Sequence, residues 1–336
     1  MVLNYQKNVS LQPFNTFGIP VKAKKFIGVK SSDELIAVLN QNQEEPLLIL
    51  GGGSNVLLTQ DFDGLIVRME SKGIEIIHED SQQAEVRVAA GENWHEFVMW
   101  CLKNDLGGVE NLALIPGSVG AAPIQNIGAY GVELESVFDR CEAISLSTKQ
   151  IEVFTKTDCE FGYRNSVFKN KLKGKYIISN VTFKLNKPPH RTKTSYKGLS
   201  EKLKGVSLDI LSIAQAVMSI RSAKLPDPKK IGNSGSFFKN PVVSSQVFTA
   251  LKKQYPEIPN HPAGSGKVKI PAAWLIDCLG FKGYRKNDAG VHKKQALVLV
   301  NYGNASGAEI FELAQTIQAG VQKTFDIGLE YEVNIL

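Results

Sequence analysis

The stretch LLILGGGSNVLL, Leu47 to Leu58, carries the strongest indication of a fold class. Its first four residues predict a short buried strand, and three consecutive glycines follow directly. Glycines after a strand are typical of nucleotide-binding turns, because a backbone without side chains can approach a phosphate closely. The spacing is not the Rossmann pattern, which needs a glycine at Val56, and no Gly-Lys-Ser/Thr follows to make a P-loop. Phosphate binding and a plain strand-to-loop turn are the two interpretations.

A second stretch of small residues, IPGSVGAAPIQNIGAYG, spans 115–131. Its glycines and alanines leave little side-chain volume, while Gln125 and Asn126 supply neutral amide donors and acceptors. A flat, polar-edged heterocycle such as a flavin suits this lining. A tightly packed buried loop is the alternative.

Length and composition indicate an ordinary globular protein. A chain of 336 residues is long enough for two or three domains, and 43% hydrophobic with 21% charged residues is typical of such proteins. No apolar run approaches the roughly 18 residues that span a bilayer, and the N-terminus does not resemble a signal peptide. We therefore expect a cytoplasmic protein that does not bind a membrane.

The charge and cysteine patterns argue against a nucleic-acid-binding protein and against a metal site. The net charge of +6 comes from scattered lysines, whereas a nucleic-acid-binding surface more often shows a basic stripe with interleaved aromatics. The four cysteines form no CxxC pair and lie near no paired histidines. Reduced structural thiols and no metal site are therefore expected.

Periodicity predicts an α+β fold. In the first half, helices are expected over 31–42 and 93–106, and strands at GLIVRM, AEVRVAAG, CEAISLS, QIEVFT and YIISNVTFKL. The segment NKPPHRTKTSYKG reads as a connection between domains. Beyond it, helices are expected along Ile210–Ile220, from Pro271 to near Gly280 and from a Ser306/Glu309 capping box, with strands at ALVLVN and LEYEVNIL.

The stretch GNSGSFFKNP, Gly232 to Pro241, superficially resembles a serine-hydrolase turn. A hydrolase needs a histidine base held by a third group, and none of the five histidines lies in such a context. A hydrolase is therefore disfavoured. Four charged residues remain ambiguous. Arg164 beside Tyr163 could hold a carboxylate or stack at the surface, and Lys224 could contact a ligand or complement a helix end. Glu330 and Glu332 share one face of a predicted terminal strand, where they could act as paired carboxylates or simply be exposed.

Taken together, these motifs resemble the UDP-N-acetylenolpyruvoylglucosamine reductase family, the flavoenzymes of peptidoglycan precursor synthesis. The resemblance covers nearly the whole chain and keeps one order. It rests on the strings NTFGI, LGGGSN, AGENWHEFV, ENLALIPGSVGAAPIQNIGAYGVEL, FGYRNSVFK, KLPDP, GNSGSFFKNP, AAWLID, HKKQALVLVN and LEYEV.

The resemblance implies a vanillyl-alcohol-oxidase (PCMH-type) FAD-binding domain at 1–190, with two subdomains meeting near 66–72. An α+β substrate-binding domain at 200–336 follows, and its last strand returns to the active site. It implies FAD as cofactor, NADPH as hydride donor and a nucleotide-sugar substrate for a monomeric enzyme. The implied FAD residues are Gly51, Gly52, Gly53, Ser54, Asn55, Pro116, Gly117, Ser118, Gly120, Ala121, Gln125, Asn126, Gly128 and Ala129.

Catalytic roles are also implied by the resemblance. Arg164 matches the arginine that polarises the substrate carboxylate, Glu332 the carboxylate that assists it, and Ser236 the proton donor to C2. The implied substrate contacts are Tyr163, Tyr196, Lys224, Gly235 and Asn240. Tyr331 stands where the family's first class often has proline. An FAD oxidase of the same cofactor fold and a catalytically silent nucleotide-binding protein are the alternatives, and both should lack the catalytic set.

Overall fold

A computed structural model describes residues 3–42 and 45–336, and it confirms the α+β class. The helices are α1 Ser32–Gln41, α2 Trp94–Lys103, α3 Lys197–Lys202, α4 Ile210–Lys224, α5 Ser245–Gln254, α6 Ala272–Cys278 and α7 Gly307–Phe325. The strands are β1 Gln6–Ser10, β2 Lys22–Val29, β3 Leu47–Leu50, β4 Val56–Leu57, β5 Phe62–Met69, β6 Ile74–Glu79, β7 Gln83–Ala89, β8 Gly128–Ala129, β9 Val132–Glu133, β10 Phe138–Ser145, β11 Ile151–Thr155, β12 Tyr176–Asn186, β13 Val242–Ser244, β14 His261–Pro262, β15 Lys267–Lys269, β16 Arg285–Lys286, β17 Ala289–Val291, β18 Leu299–Asn301 and β19 Asn334–Ile335.

The chain divides into two compact units. The first contains the residues up to Val9, Ala23–Gly52 and Phe62–Ala223; the second contains Ser10–Lys22, Gly53–Asp61 and Lys224–Leu336. The division falls inside the run of three glycines, between Gly52 and Gly53. The FAD-binding domain at 1–190 and the substrate-binding domain at 200–336 remain predictions.

The first unit contains two sheets. In the first sheet, ordered β1-β2-β5-β3, the strands β2 and β3 both run parallel to β5, as expected for a strand–helix–strand crossover. The connecting helix α1 is capped by Ser31, whose hydroxyl accepts from the Glu34 N–H. The second sheet, ordered β11-β10-β12-β7-β6, is antiparallel. The first sheet ends at Met69 and the second begins at Ile74.

Helix α2 packs on the second sheet through the apolar face that its sequence predicts. Trp94, Phe97, Val98 and Cys101 are all buried, and the Phe97 ring lies 4.8 Å from that of Phe183 on β12. Burying each large apolar side chain stabilises the fold by about 1.5–3 kcal/mol. This packing fixes the first turn of α2, which carries the loop described below.

The second unit has its own core around α6 and α7. Helix α7 begins with the predicted capping box, in which the Ser306 hydroxyl accepts from the Glu309 N–H and the Glu309 carboxylate accepts from the Ser306 N–H. The predicted strand over Ala296–Asn301 is shorter, at Leu299–Asn301. None of the helices within 3–42 and 45–336 is long and apolar enough to cross a membrane.

The chain ends differently from the sequence prediction. LEYEVNIL was expected to form a strand with Glu330 and Glu332 on one face, but regular strand is limited to Asn334–Ile335. Glu330 instead pairs with Lys239 at 2.7 Å, and Glu332 lies in a bend. The prediction was wrong because this segment follows long-range backbone hydrogen bonds rather than its own alternation.

Candidate active site

The two glycine-rich stretches of the first unit meet back to back. A Cβ added to Gly52 would lie 2.9 Å from Gly117 Cα, and one on Gly51 would lie 2.2 Å from Ser118 Oγ. Only residues without side chains allow backbones to approach this closely. We call these facing runs, Gly51–Gly52 and Gly117–Ser118, the glycine cradle. It places two stretches of main chain with little side-chain volume side by side, which suits the phosphates of a dinucleotide such as FAD.

Helix α2 holds one side of the glycine cradle. The backbone N–H of Trp94 donates to the Gly117 carbonyl at 3.0 Å, and the N–H of Val119 donates to the Glu92 carbonyl at 2.9 Å. Asn93, which caps α2, also forms an isolated bridge with Ser118. The cradle therefore sits on a packed helix start rather than on a free loop.

The remaining predicted FAD residues of this unit line the loop that follows. Pro116 and Ala121 are exposed, and Gly120, Gln125, Gly128 and Ala129 are half-buried. Asn126 is fully buried and uses its amide within the protein. Its Nδ2 donates to Glu133 at 3.0 Å and to the Gly162 carbonyl at 3.2 Å, while its Oδ1 accepts from the Glu135 N–H. Cofactor contact by Asn126 stays a prediction.

Arg164 lies at the tip of a tight turn that faces this loop. Gly162 and Asn165 pair across the turn, and Arg164 has a left-handed φ of +52°. Its Nη2 donates to the Gly128 carbonyl at 2.7 Å, and its guanidinium lies 5.5 Å from the centroid of the Tyr163 ring. Non-glycine residues with such φ values are uncommon and concentrate at functional sites. The turn thus presents a fixed cation beside the predicted flavin loop.

A second arginine, Arg221 on α4, was missed by sequence reasoning. Within the part of the chain that the structure describes, its buried Nε has no hydrogen-bond partner. Burial lowers the pKa of Arg221, Tyr130 opposes that shift, and the positive charge of Arg164 adds to it. The sequence did contain one indication that Arg221 faces inward. It comes four residues after the buried Val217, so it lies on the same face of the helix.

Tyr196, predicted to contact substrate, is 47% exposed at the start of α3. Its ring meets that of Tyr130 edge-on, with centroids 5.3 Å apart. Tyr130 lies in the second glycine-rich stretch, so Tyr196 is brought to the same loop as the predicted FAD residues.

Ser236 belongs to the second unit, in a segment paired on both sides. It bridges Val298, and the N–H of Phe237 donates to the Leu297 carbonyl at 2.8 Å. On the other side, the N–H of Glu332 donates to the Phe237 carbonyl at 2.8 Å. The pairing brings the backbone of Glu332 next to that of Phe237, the residue after Ser236. The catalytic roles of Ser236 and Glu332 stay predictions. Ser236 is half-buried, whereas Ser234 is only 6% exposed.

Tyr331 does not disturb this pairing. Its hydroxyl donates to Gln318 on α7 at 2.9 Å, and its ring packs on Phe238 with centroids 5.6 Å apart. The Nδ2 of Asn55 donates to the Glu332 carbonyl at 3.1 Å. The backbone of Glu332 is therefore fixed by Phe237 and Asn55 together.

The other residues of this unit that were predicted to contact a ligand lie in different environments. The Oδ1 of Asn240 accepts from the N–H of Ala272, the first residue of α6, at 2.9 Å. Gly235 adopts a φ of +73° beside the Asn233 side chain, whose Oδ1 accepts the Gly235 N–H at 3.0 Å. Lys224 is exposed at the last position of α4. Gly53 and Ser54 come directly after the point in the glycine run where the first unit ends and the second begins. Ligand contacts by these residues remain predictions.

Comparisons with known proteins find matches to both halves of the chain. The family described as FAD binding domain matches residues 23–154, and the family described as UDP-N-acetylenolpyruvoylglucosamine reductase, C-terminal domain, matches residues 227–336. The chain is 48% identical to UDP-N-acetylenolpyruvoylglucosamine reductase from Flavobacterium johnsoniae, covering 99% of this chain and all of the relative. It is 49% identical to the enzyme of the same name from Amoebophilus asiaticus over the same shares of both chains.

A solved structure has a similar fold over the whole length. It is UDP-N-acetylenolpyruvylglucosamine reductase from Thermus caldophilus, with a TM-score of 0.70 and 23% identity, covering 100% of this chain and 99% of that one. At this identity the likeness shows the fold alone. The sequence relatives carry the functional argument.

Proposed function

Because the chain belongs to the UDP-N-acetylenolpyruvoylglucosamine reductase family, we propose that it reduces UDP-N-acetylglucosamine enolpyruvate to UDP-N-acetylmuramate. The family's reaction is an FAD- and NADPH-dependent reduction in peptidoglycan synthesis. FAD, when bound, supplies a hydride taken from NADPH to C3 of the enolpyruvyl group. The glycine cradle and the loop that follows it hold that cofactor.

Three side chains of this protein handle the charge and the proton. Hydride addition at C3 moves negative charge onto C2 and the carboxylate, and the Arg164 guanidinium binds that carboxylate. The Ser236 hydroxyl donates a proton to C2, which completes the reduction. Glu332 assists at the carboxylate. Because the serine donates a proton and does not act as a nucleophile, it needs no histidine–aspartate pair to activate it.

One observation supports this assignment most strongly. The Ser236 segment is hydrogen-bonded directly to the Glu332 segment, although 96 positions separate the two residues in sequence (332 − 236). The bond from the Glu332 N–H to the carbonyl of Phe237, the residue after Ser236, holds the two segments side by side. An FAD oxidase of alcohols would not need Ser236 and Glu332 in this arrangement.

The proposal is tested with purified protein. We expect the absorbance of bound FAD, and NADPH oxidation that starts only when UDP-N-acetylglucosamine enolpyruvate is added. A colourless protein that does not retain added FAD would contradict the cofactor assignment. NADPH oxidation at the same rate with and without the enolpyruvyl substrate would contradict the reductase assignment.

We further propose that the enzyme acts as a cytoplasmic monomer that binds no nucleic acid. A nucleotide-sugar substrate is consistent with the family and with the scattered positive charge. Light scattering during size-exclusion chromatography should give the mass of one 36.8 kDa chain. A mass of two chains would overturn the monomer.

A further inference from the structure

The loop Leu112–Val119, which carries one side of the glycine cradle, is tied to the start of α2 at four places. Two bonds were described above, from the Trp94 N–H to Gly117 and from the Val119 N–H to Glu92. In addition, the indole Nε1 of Trp94 donates to the Leu112 carbonyl at 2.9 Å. The fourth bond runs from the Leu114 N–H to Nδ1 of His95 at 3.1 Å, and it alone has an acceptor that titrates near neutral pH.

That fourth bond holds a strained residue. Leu114 has a left-handed φ of +59°, a conformation that residues with a Cβ rarely adopt. Its N–H has the His95 ring as acceptor, so losing the bond frees Leu114 to return to an ordinary conformation. Such a change moves the neighbouring residues Ile115 to Gly117, which lead into the cradle.

The bond exists only in one protonation state of His95. Nδ1 accepts a hydrogen bond when the ring is neutral with its proton on Nε2, whereas the imidazolium has no acceptor. Burial lowers the pKa of His95 below its ordinary value of 6.5, Glu96 on the same helix opposes the shift, and Arg221 on α4 adds to it. The ring is therefore neutral at pH 7, and the bond is present.

We infer that His95 is a positioning residue for the FAD site, and that its protonation releases the loop Leu112–Val119 and weakens FAD retention. The inference takes FAD as the ligand and in that respect rests on the proposed function. His95 touches the loop and not the reacting atoms, so its effect is on cofactor affinity rather than on proton transfer to substrate.

The direction of the pH effect follows from the lowered pKa. The contribution of the neutral ring is complete above pH 6.5 and is lost as the pH falls through the pKa of the folded protein. Since one proton is involved, the dissociation constant for FAD can rise by up to about tenfold per pH unit in that range.

Two substitutions at one position separate the hydrogen bond from the bulk of the ring. In His95→Asn, the amide Oδ1 stands near the position of Nδ1 and accepts from Leu114 at every pH. In His95→Gln, the oxygen lies one methylene farther out and cannot replace Nδ1 directly. The Asn variant is therefore the matched control for the Gln variant.

The experiment measures FAD release from the holoprotein by serial dilution, reading free FAD by its fluorescence, from pH 8 to pH 5. We expect the wild type to hold FAD tightly above pH 6.5 and progressively more weakly as the pH falls through the lowered pKa of His95. His95→Asn should keep wild-type affinity at pH 8 and show no such loss, and His95→Gln should bind FAD about tenfold more weakly throughout.

Three results would overturn the inference. These are equal pH dependence in the wild type and His95→Asn, equal loss of affinity in both variants at pH 8, or wild-type affinity that is flat at every pH at which the holoprotein stays folded. If His95→Gln does not fold, the comparison of the wild type with His95→Asn still decides the matter. A wild type that binds no FAD at any pH would instead refute the proposed function.

Discussion

Gly52 in the first unit and Gly235 in the second lie in loops of similar composition, but they meet different surroundings. A Cβ on Gly52 would lie 2.9 Å from the Gly117 backbone, so that glycine leaves room for a close approach. A Cβ on Gly235 would meet none of the described residues within 4 Å, and glycine is favoured there by its φ of +73°. The first glycine provides space, and the second sets the direction of the chain into Ser236.

The difference explains what each loop contributes. The glycine cradle offers main chain with little side-chain volume, which suits binding of a phosphate-containing cofactor. The loop of the second unit offers one half-buried hydroxyl in a fixed frame, which suits proton transfer. Changes in the first should therefore affect FAD retention, and changes in the second should affect turnover.

The largest effect is expected for Ser236→Ala. Removing a proton donor typically slows a reaction by about 10²–10⁴-fold, so steady-state NADPH oxidation with the enolpyruvyl substrate should fall by that factor while FAD stays bound. Ser234→Ala is the matched control, since it deletes a hydroxyl two positions away. If Ser234→Ala slowed turnover as much as Ser236→Ala, the loop rather than the hydroxyl would be responsible.

Gly52→Ala should weaken FAD binding by about tenfold to a hundredfold, since overpacking two backbones costs about 1–3 kcal/mol. Titration of the apoprotein with FAD gives the dissociation constant. Gly51→Ala should weaken binding less than Gly52→Ala, because its Cβ would meet the Ser118 hydroxyl, a side-chain group that can rotate away. Equal affinity in the wild type and Gly52→Ala would refute the account of the glycine cradle.

Gly235→Ala should lower the free energy of unfolding by about 1–2 kcal/mol, because the left-handed conformation is costly for alanine. Urea denaturation followed by circular dichroism measures this loss, and FAD affinity should not change. Gly235→Asn should lose less, as asparagine tolerates this conformation. A larger loss in the Asn variant would mean that space, not φ, limits this position.

Ser234→Ala should have the smallest effect on stability. Across the described ranges, the buried Ser234 hydroxyl has no hydrogen-bond partner, and such a group costs free energy in the folded state. The free energy of unfolding should stay the same or rise by up to about 1 kcal/mol. A loss of 2 kcal/mol or more in urea denaturation would show that this hydroxyl makes an important bond.

Local features of the fold could be predicted from sequence because their causes are local. The Ser306/Glu309 capping box and the apolar face of α2 are set by residues within two helical turns. The end of the chain was predicted wrongly, since Glu332 is held by Phe237 and Asn55, far away in sequence. No pattern within LEYEV predicts those two hydrogen bonds.

Long-range contacts in the candidate site were likewise not predictable from sequence. Motif resemblance pointed to Arg164, Ser236 and Glu332, but it gave no sign that the Asn126 amide is used within the protein or that Asn240 accepts from the first N–H of α6. Arg221 and His95 were missed because an arginine or histidine on a helix is ordinary in sequence. Only the folded structure distinguishes them, through the buried Nε of Arg221, which has no partner among the described residues, and through the hydrogen bond that His95 accepts from Leu114.

The most direct test of the account separates the two halves of the reaction in Ser236→Ala. In a stopped-flow instrument, loss of flavin absorbance on mixing with NADPH reports the first half, and its return on adding the enolpyruvyl substrate reports the second. We predict a first half at the wild-type rate and a second half slowed by about 10²–10⁴-fold, because only the second needs the serine proton. Equal slowing of both halves would contradict a proton-donating Ser236.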